Sequence, residues 1–530
     1  MARKFLIIRL GSLGDVVLTS STVINLKIEY PDSHITYFCK DKYRSAVELI
    51  DGVDDIVCLP EKPSLLTFYK LLLELDKRSF DYVIDLHGNF RSWLARKTIT
   101  ADDTVVYPKR RYDRLVTVRK KMIPKYWPHT IDLYNEAIRG VGAAAHCRRP
   151  TVPIPADRLN DRINTFLERN RQFAVIAPGA AHANKQWPIE RFVRVASMLH
   201  ADENLAIIWA ITSEDKDNPS PEDSIGVEAC LRLVDCPIAE LAAIMSKARI
   251  TIANDSGITH LSSAVGTPAV AVFGPTHPAL GFAPNGLYDR VVEVDEYCRP
   301  CSLHGKKLCF RDQRYCFDRI DATAVFCAAS DILQMRRRQS RAVFVDRDGT
   351  IIVDKNFLSD PEQVEFENSS AEAMKILSQA GFRVVIISNQ SGVARGFFGI
   401  DSVERVNARL MEMLAARHVE VDGVYYCPHL PEGNVNTFSV PCRCRKPSAG
   451  MTEDASYQLS LDLRKSYVIG DKIDDVNLAK VIGADAIMVR TGYGSQQDRI
   501  ISGRSFYRDV FVAENLLDAA RRIISCKDDG

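Results

Sequence analysis

The feature that most constrains this chain is a recurrent alternation of short β-rich runs with longer helical stretches. That alternation folds as parallel sheets covered by helices, the α/β class. Runs at 4–9, 35–39, 82–85 and 104–107 make a first set, and runs at 174–177, 206–210, 250–253 and 269–273 a second. Runs at 342–345, 383–387, 423–426, 467–469 and 486–489 make a third. The stretch 150–155 has three prolines in six residues and reads as a linker. A helical stretch over 323–335 ends in Arg336-Arg337-Arg338-Gln339-Ser340, which reads as a second boundary. A chain of 530 residues is too long for one core. The expectation is three α/β domains, at 1–153, 154–338 and 339–530.

Composition adds exclusions. Apolar residues make up 46% and charged residues 26%, and the net charge is +1, so no global field favours nucleic acid or an anionic membrane. Anionic ligands must be held by local clusters. The apolar run after Met1 is too short for a signal segment, and no stretch approaches about 18 apolar residues, so a cytoplasmic protein is expected. Its 14 cysteines are then thiols or metal ligands rather than disulfides.

In the third set, Ala342-Val343-Phe344-Val345 runs into Asp346-Arg347-Asp348-Gly349-Thr350. Two carboxylates two residues apart at a strand's C-terminal end suit phosphoryl transfer: Asp346 can attack phosphorus while Asp348 moves the proton. Alone, the pentapeptide could equally be a solvated Asp-Gly turn. Three further pieces follow in order. A second strand ends in Ser388-Asn389-Gln390, able to bind a phosphate oxygen, and Arg445-Lys446-Pro447 offers a cation for the phosphoryl group. Another strand ends in Gly470-Asp471-Lys472-Ile473-Asp474-Asp475, a carboxylate source for Mg²⁺. These motifs resemble the haloacid dehalogenase superfamily of phosphatases.

Between them, Cys427-Pro428-His429 is followed by Cys442-Arg443-Cys444, three thiols and an imidazole that suit a closed tetrahedral Zn²⁺ site. With that loop, residues 341–524 look like the D-glycero-D-manno-heptose 1,7-bisphosphate phosphatases, although histidinol-phosphate phosphatases share the pattern. The resemblance implies Asp346 as nucleophile and Asp348 as general acid/base, with Ser388 and Lys446 on the transferred phosphate. It further implies Mg²⁺ on Asp346, Asp471 and the Asp348 carbonyl, and help from Asn389, Arg445 and Lys472 with a small sugar phosphate. Asp475 could reach Mg²⁺ through water or cap a helix.

In the first two sets, Arg9-Leu10-Gly11-Ser12-Leu13-Gly14-Asp15 joins a strand to a helix, which could also be no more than a tight turn. Ala177-Pro178-Gly179-Ala180 precedes Lys185-Gln186-Trp187-Pro188, and Asn254-Asp255-Ser256-Gly257-Ile258-Thr259-His260 opens a helix whose free N–H groups could cradle a diphosphate. Phe273-Gly274-Pro275-Thr276 ends a further strand. Together these resemble glycosyltransferase family 9, the ADP-heptose:lipopolysaccharide heptosyltransferases, over residues 1–335. The resemblance implies a GT-B-type pair of Rossmann-like domains facing a cleft. It makes Asp15 the base on the acceptor hydroxyl, places Lys185 on the nucleotide-heptose phosphate and Asp255 on the heptose, and puts Ser256, Gly257 and His260 at the diphosphate. The acceptor would be lipopolysaccharide-like, at the inner membrane surface, with the protein peripheral at most.

Two features stay open on sequence. Arg110, Arg111, Arg114, Arg119, Lys120 and Lys121 could hold an anionic acceptor or form a solvated helix face. Cys298, Cys301, Cys309 and Cys316 could bind a metal or remain reduced thiols, in a segment expected outside the cleft. The reading is a heptosyltransferase fused to a haloacid dehalogenase-type phosphatase with a zinc loop, the heptose-using neighbour favouring heptose bisphosphate over histidinol phosphate. The alternative is a phosphatase fused to a degenerate transferase that serves as a carbohydrate-binding or assembly module.

Overall fold

A computed structural model describes residues 2–154 and 159–528, so Pro155, the last proline of the linker stretch, lies outside the described residues. The chain forms two compact units, Met1–Gln334 and Met335–Gly530. The first contains two parallel sheets and the second contains one.

The first sheet comprises β1 (Lys4–Ile8), β2 (His34–Lys40), β3 (Asp55–Leu59), β4 (Phe80–Asp85) and β5 (Ala101–Val106), in the order β3-β2-β1-β4-β5. Its central strands are continuous apolar runs because helices cover both faces. The second comprises β6 (Phe173–Ala177), β7 (Ala206–Ile211), β8 (Cys230–Val234), β9 (Ile250–Asn254), β10 (Ala269–Val272) and β11 (Arg290–Val292), in the order β11-β10-β9-β6-β7-β8. One apolar core runs from Phe5 and Val16 in the first lobe to Val175 and Leu261 in the second. The proline-rich stretch is anchored between the lobes: Thr151 N donates to Ser20 Oγ at 3.0 Å and Val152 N to the Ala264 carbonyl at 3.0 Å.

The second unit's sheet comprises β12 (Ala342–Asp346), β13 (Arg383–Asn389), β14 (Gly423–Cys427), β15 (Tyr467–Gly470), β16 (Asp485–Val489) and β17 (Phe511–Ala513), in the order β14-β13-β12-β15-β16-β17. Val343, Val345, Ile386 and Ile469 pack there against helices Ser370–Gln379 and Leu516–Asp528.

Each sheet reverses its strand order once: between β1 and β4, between β6 and β9, and between β12 and β15. The loops diverge at such a point and leave a crevice beyond the strand ends. Asp15 follows β1, Asp255 follows β9, and Asp346 and Asp471 end β12 and follow β15. The fold therefore opens a crevice beside each candidate group.

Candidate active sites

In the first unit a cleft of about 1370 Å³ is lined by both lobes, including Asp15, Lys185, Asp255, Ser256, Gly257 and His260. The helices Leu13–Leu18 and Gly257–Ala264 meet backbone to backbone across it. A Cβ on Gly14 would lie 2.6 Å from His260 Cδ2, and one on Gly257 would lie 2.8 Å from Gly14 N. Only glycine at both positions lets the two helix starts share one site.

Asp15 sits under a tight net. Arg9 Nη2 lies 2.5 Å from its Oδ2, Ser12 donates to the same oxygen from Oγ (2.9 Å) and N (3.2 Å), and the Tyr134 hydroxyl donates to Oδ1 at 3.3 Å. Burial works to raise this carboxyl, but the Arg9 guanidinium and the Ser12 hydrogen bonds outweigh it and hold the pKa at about 2. Lys185 Nζ pairs with Asp255 Oδ2 at 2.6 Å, and the Thr276 hydroxyl donates to the same oxygen at 2.7 Å. Ser256 Oγ and His260 Nδ1 are buried without a hydrogen-bond partner. Burial also drives the His260 pKa down to about 4, which keeps the ring neutral. Unspent donors beside a helix start with no side-chain cap make this the natural seat for an anion.

The structure corrects one expectation and divides another. Leu303, His304 and Lys306 of the cysteine segment line the cleft, and Asn184 Nδ2 donates to the Lys307 carbonyl at 2.6 Å, so the segment is cleft wall rather than outside it. Its four cysteines do not converge as the zinc-loop residues do. Cys301 Sγ points to the Pro275 carbonyl (3.6 Å) and Cys309 Sγ to the Gln313 carbonyl (3.6 Å). The basic run splits. Arg114 is buried over the Phe282 ring at 4.5 Å and Lys121 Nζ donates to the Pro300 carbonyl at 2.6 Å, while Arg110, Arg111, Arg119 and Lys120 are exposed.

In the second unit Asp346 and Lys446 are both buried, with Lys446 Nζ 2.7 Å from Asp346 Oδ1 and 2.6 Å from Asp475 Oδ1. Asn389 clamps the Lys446 backbone: Lys446 N donates to Oδ1 (3.0 Å) and Nδ2 donates to the Lys446 carbonyl (3.1 Å). Any effect of Asn389 on a bound phosphate would run through Lys446. Asp348 is gripped by the buried Arg347, whose Nε and Nη2 each lie 3.1 Å from its carboxylate, while Arg347 Nη1 donates to Asn407 Oδ1 at 2.7 Å. Gln390 Nε2 (2.8 Å) and Ser388 Oγ (3.3 Å) donate to Asp348 Oδ2. Burial opposes ionisation of Asp348, and the Arg347 fork overcomes it, leaving the carboxyl below its ordinary range.

The carboxylates of Asp346, Asp471 and Asp475 converge with their oxygens within 4.8 Å of one another. Gly349 stands at φ +81° where any Cβ would strike the Asp471 carboxylate. Asp471 Oδ2 accepts from Tyr493 N at 2.8 Å, but its Oδ1 is buried with no partner. Burial and the neighbouring Asp346 push Asp471 up to about 8; burial, only partly offset by Lys446, pushes Asp346 up to about 6. An orphaned carboxylate oxygen among crowded hard donors fits Mg²⁺. On sequence Asp475 is open between a water-mediated Mg²⁺ role and a helix cap, and the structure shows the cap. Its carboxylate joins the cluster, yet both oxygens are engaged, Oδ1 by Lys446 and Oδ2 by Lys472 N at 3.2 Å, which caps the helix Ile473–Ile482. Lys472 Nζ pairs with Asp354 at 3.1 Å, and Arg445 Nη1 donates to the His429 carbonyl at 3.3 Å.

The cysteine loop closes as expected. Cys427 Sγ lies 3.6 Å from Cys442 Sγ and 3.1 Å from Cys444 Sγ, and His429 Nδ1 lies 3.3 Å from Cys444 Sγ. A tetrahedral centre with Zn–S bonds of about 2.3 Å needs sulfurs roughly 3.7 Å apart, so this donor set could hold Zn²⁺. The Cys427–Cys444 hydrogen bond lowers the Cys444 thiol and raises the Cys427 thiol, so the two share a proton that a metal would displace.

Sequence reasoning left Arg9, Arg347, Gln390 and Asn407 outside the site. Three of the four lay within quoted motifs. Their signal was a charged or amide group placed where a buried strand ends, beside an aspartate.

Residues 68–309 match glycosyltransferase family 9 (heptosyltransferase), and residues 443–519 match the HAD-hydrolase-like family. The D-glycero-beta-D-manno-heptose-1,7-bisphosphate 7-phosphatase of Escherichia coli K12 is 41% identical over 152 residues, 28% of this chain and 80% of the relative. Its counterpart from Yersinia pestis is 41% identical over 153 residues, 28% of this chain and 81% of that one. A crystal structure of a family 9 glycosyl transferase from Veillonella parvula matches with a TM-score of 0.51 at 21% identity, covering 63% of this chain and 97% of that one, a likeness of fold. The class is thus a glycosyltransferase joined to a hydrolase. The chain belongs, through its second unit, to the family of these heptose bisphosphate phosphatases among the HAD-like hydrolases, and carries a glycosyltransferase family 9 domain in its first. No helix among the described residues is long and apolar enough to cross a membrane.

Proposed function

We propose that the chain transfers a heptosyl group from a nucleotide-heptose to a lipopolysaccharide-type acceptor, and also hydrolyses D-glycero-D-manno-heptose 1,7-bisphosphate at C7. The observation that carries the hydrolytic half is the buried Asp346–Lys446 pair at the strand reversal, with Asp348 held beside it by Arg347. Asp346 attacks phosphorus, forming the aspartyl-phosphate as the bond to the C7 oxygen breaks. Asp348 gives its proton to the leaving alkoxide. Asp348 is ionised at rest, and an arriving phosphate dianion raises its affinity for that proton. In the second step Asp348 takes a proton from water, which attacks phosphorus and releases Asp346. Lys446 and Ser388 hold the non-bridging oxygens. Mg²⁺ on Asp346, Asp471 and the Asp348 carbonyl would neutralise charge on the phosphoryl group. Substrate choice is tested by phosphate release from the full chain. A preference of at least about tenfold in kcat/KM for the heptose bisphosphate over histidinol phosphate is expected, and the reverse order would overturn the assignment.

Metal affinity should depend on pH with a defined sign. Asp471 at about 8 and Asp346 at about 6 must lose protons to ligate, so Mg²⁺ binding tightens as pH rises from 6 to 8. Both folded values lie above the ordinary carboxyl value of 3.8, so the metal-free fold loses stability as pH climbs from about 4 to 8. Melting with and without Mg²⁺ should show the larger metal-dependent rise in Tm at pH 8. An equal rise at pH 6 and pH 8 would contradict it.

The zinc loop carries a separate prediction. Cys444 is two residues from Lys446 and Asn389 clamps Lys446 from the sheet, so loop order and catalysis are joined. Cys444→Ser should lower zinc content from one per chain and cut kcat about tenfold or more, while far-ultraviolet dichroism stays near the parent's. A zinc-free parent with full phosphatase activity would remove the site.

A further inference from the structure

The second lobe must hold a nucleoside diphosphate with few polar side chains at the end of its first strand. The loop after β6 gives Gly179, Ala180, Ala181 and His182 to the cleft wall, with no hydroxyl and no amide among them. The His182 ring stays neutral, its pKa lowered by burial and by the nearby charges of Lys306 and Lys185. Lys185 is already matched by Asp255 at 2.6 Å, and the start of the helix Gly257–Ala264 supplies about half a positive charge. Each phosphate of the ligand brings a negative charge, so this seat is short of positive charge as it stands.

The cysteine segment makes up the difference. Lys185 and Lys306 are the two ammonium groups that the second lobe places in the cleft wall, and Lys306 has no ion-pair partner among the described residues. Lys306 also lines an adjoining cavity of about 580 Å³, which shares Asp15 and His304 with the cleft, so it stands at the reacting end. Its place is fixed from both sides. Before it, Cys301 N donates to the Pro275 carbonyl at 3.0 Å and Lys121 Nζ to the Pro300 carbonyl at 2.6 Å. After it, Asn184 Nδ2 holds the Lys307 carbonyl at 2.6 Å. Between these anchors Gly305 turns at φ +74° against the stem of Lys185, where a Cβ would strike Lys185 Cγ. Residue 306 is thereby set next to Lys185.

We propose that Lys306 binds the sugar-bearing phosphate of the donor, delivered to it beside Lys185 by the strap 302–308. The inference rests on the reading of the first unit as a nucleotide-sugar transferase. As the bond from the anomeric carbon to that phosphate's oxygen breaks, its electron pair stays on the diphosphate, and the acceptor proton goes to Asp15. Lys306 and Lys185 then share the charge that develops.

The probes are ADP and AMP, binding to the full chain by calorimetry with no acceptor present. Lys306→Ala should weaken ADP at least about tenfold and AMP less than about threefold, because AMP lacks the second phosphate. Retained AMP binding reports an intact cleft. Lys306→Arg, which keeps the charge, should bring ADP binding back to within about threefold of the parent. Lys307→Ala removes the same charge one residue along and should leave ADP binding within about twofold at about 0.15 M salt. In transfer from ADP-heptose, Lys306→Ala should lower kcat/KM by at least as much as it lowers ADP affinity, because charge on the diphosphate grows as the bond breaks. Unchanged ADP binding in Lys306→Ala, equal losses of ADP and AMP, or an equal loss in Lys307→Ala would each overturn the proposal. Those outcomes in a parent that binds ADP leave the transferase reading standing, whereas a parent that binds no nucleotide removes both.

Discussion

Asp346→Asn is expected to abolish phosphate release, by about 10⁴-fold or more, while heptosyl transfer by the same molecule continues at the parent rate. The amide cannot form an acyl phosphate, so covalent catalysis is lost rather than weakened. The substitution is nearly isosteric at a strand end, so the sheet is preserved. Electrostatics near the site will change, and in an informative direction. Lys446 loses one of two carboxylate partners but keeps Asp475 at 2.6 Å, so it stays charged and seated. Substrate binding should therefore survive the loss of turnover, and a bound, uncleaved heptose bisphosphate measured by calorimetry would separate the two. Phosphate release near the parent rate from a folded Asp346→Asn chain would sink the assignment of the nucleophile.

The central strands of all three sheets were legible because each is buried on both faces and reads as an unbroken apolar run. The four strands that sequence reasoning did not find, β3, β8, β11 and β17, are all at sheet edges. An edge strand packs fewer neighbours and exposes one side. Arg290-Val291-Val292 and Phe511-Val512-Ala513 are only three residues long and half open to solvent, too short for period to declare itself. The candidate sites were legible for a related reason: strand ends at a topological switch concentrate chemistry in short, contiguous motifs. What escaped was the layer that acts across sequence. The Arg347–Asn407 bond joins residues 60 apart, and the Asn389 clamp on Lys446 joins residues 57 apart. No local pattern encodes either. The cysteine segment 298–316 stayed open between a metal site and reduced thiols, and what its spacing did not reveal is that the loop between those cysteines builds the cleft wall.

Asp15 and Lys185 should fail in different ways. A proton must leave the acceptor hydroxyl as the new glycosidic bond forms and the bond to the donor diphosphate breaks, with the base within about 3 Å of that oxygen. Held at about 2, Asp15 is a fully ionised acceptor at any working pH, though intrinsically a weak base. Weak basicity suffices because the hydroxyl becomes strongly acidic only as its oxygen bonds to the anomeric carbon. Two consequences are measurable. Asp15→Asn, which keeps the size of the group beside Ser12 and Tyr134, should lower the transfer rate about 10³-fold with donor affinity nearly unchanged. The parent's transfer rate should also show no acid limb from this group between pH 5 and 8, because the carboxylate is already deprotonated throughout. Lys185 should act on the other partner. Its ammonium is paired with Asp255 at 2.6 Å, and a donor diphosphate must draw it from that carboxylate toward the open start of the helix Gly257–Ala264. Lys185→Ala should therefore weaken donor binding about 10- to 100-fold as well as slowing transfer, whereas Asp15→Asn should not. The measurements are transfer from ADP-heptose to a lipopolysaccharide-core acceptor and donor binding by calorimetry, with phosphatase activity unchanged in both variants. Transfer at the parent rate by Asp15→Asn would place the base elsewhere, and a parent chain that neither binds nor transfers a nucleotide-heptose would leave the first unit without the activity proposed for it.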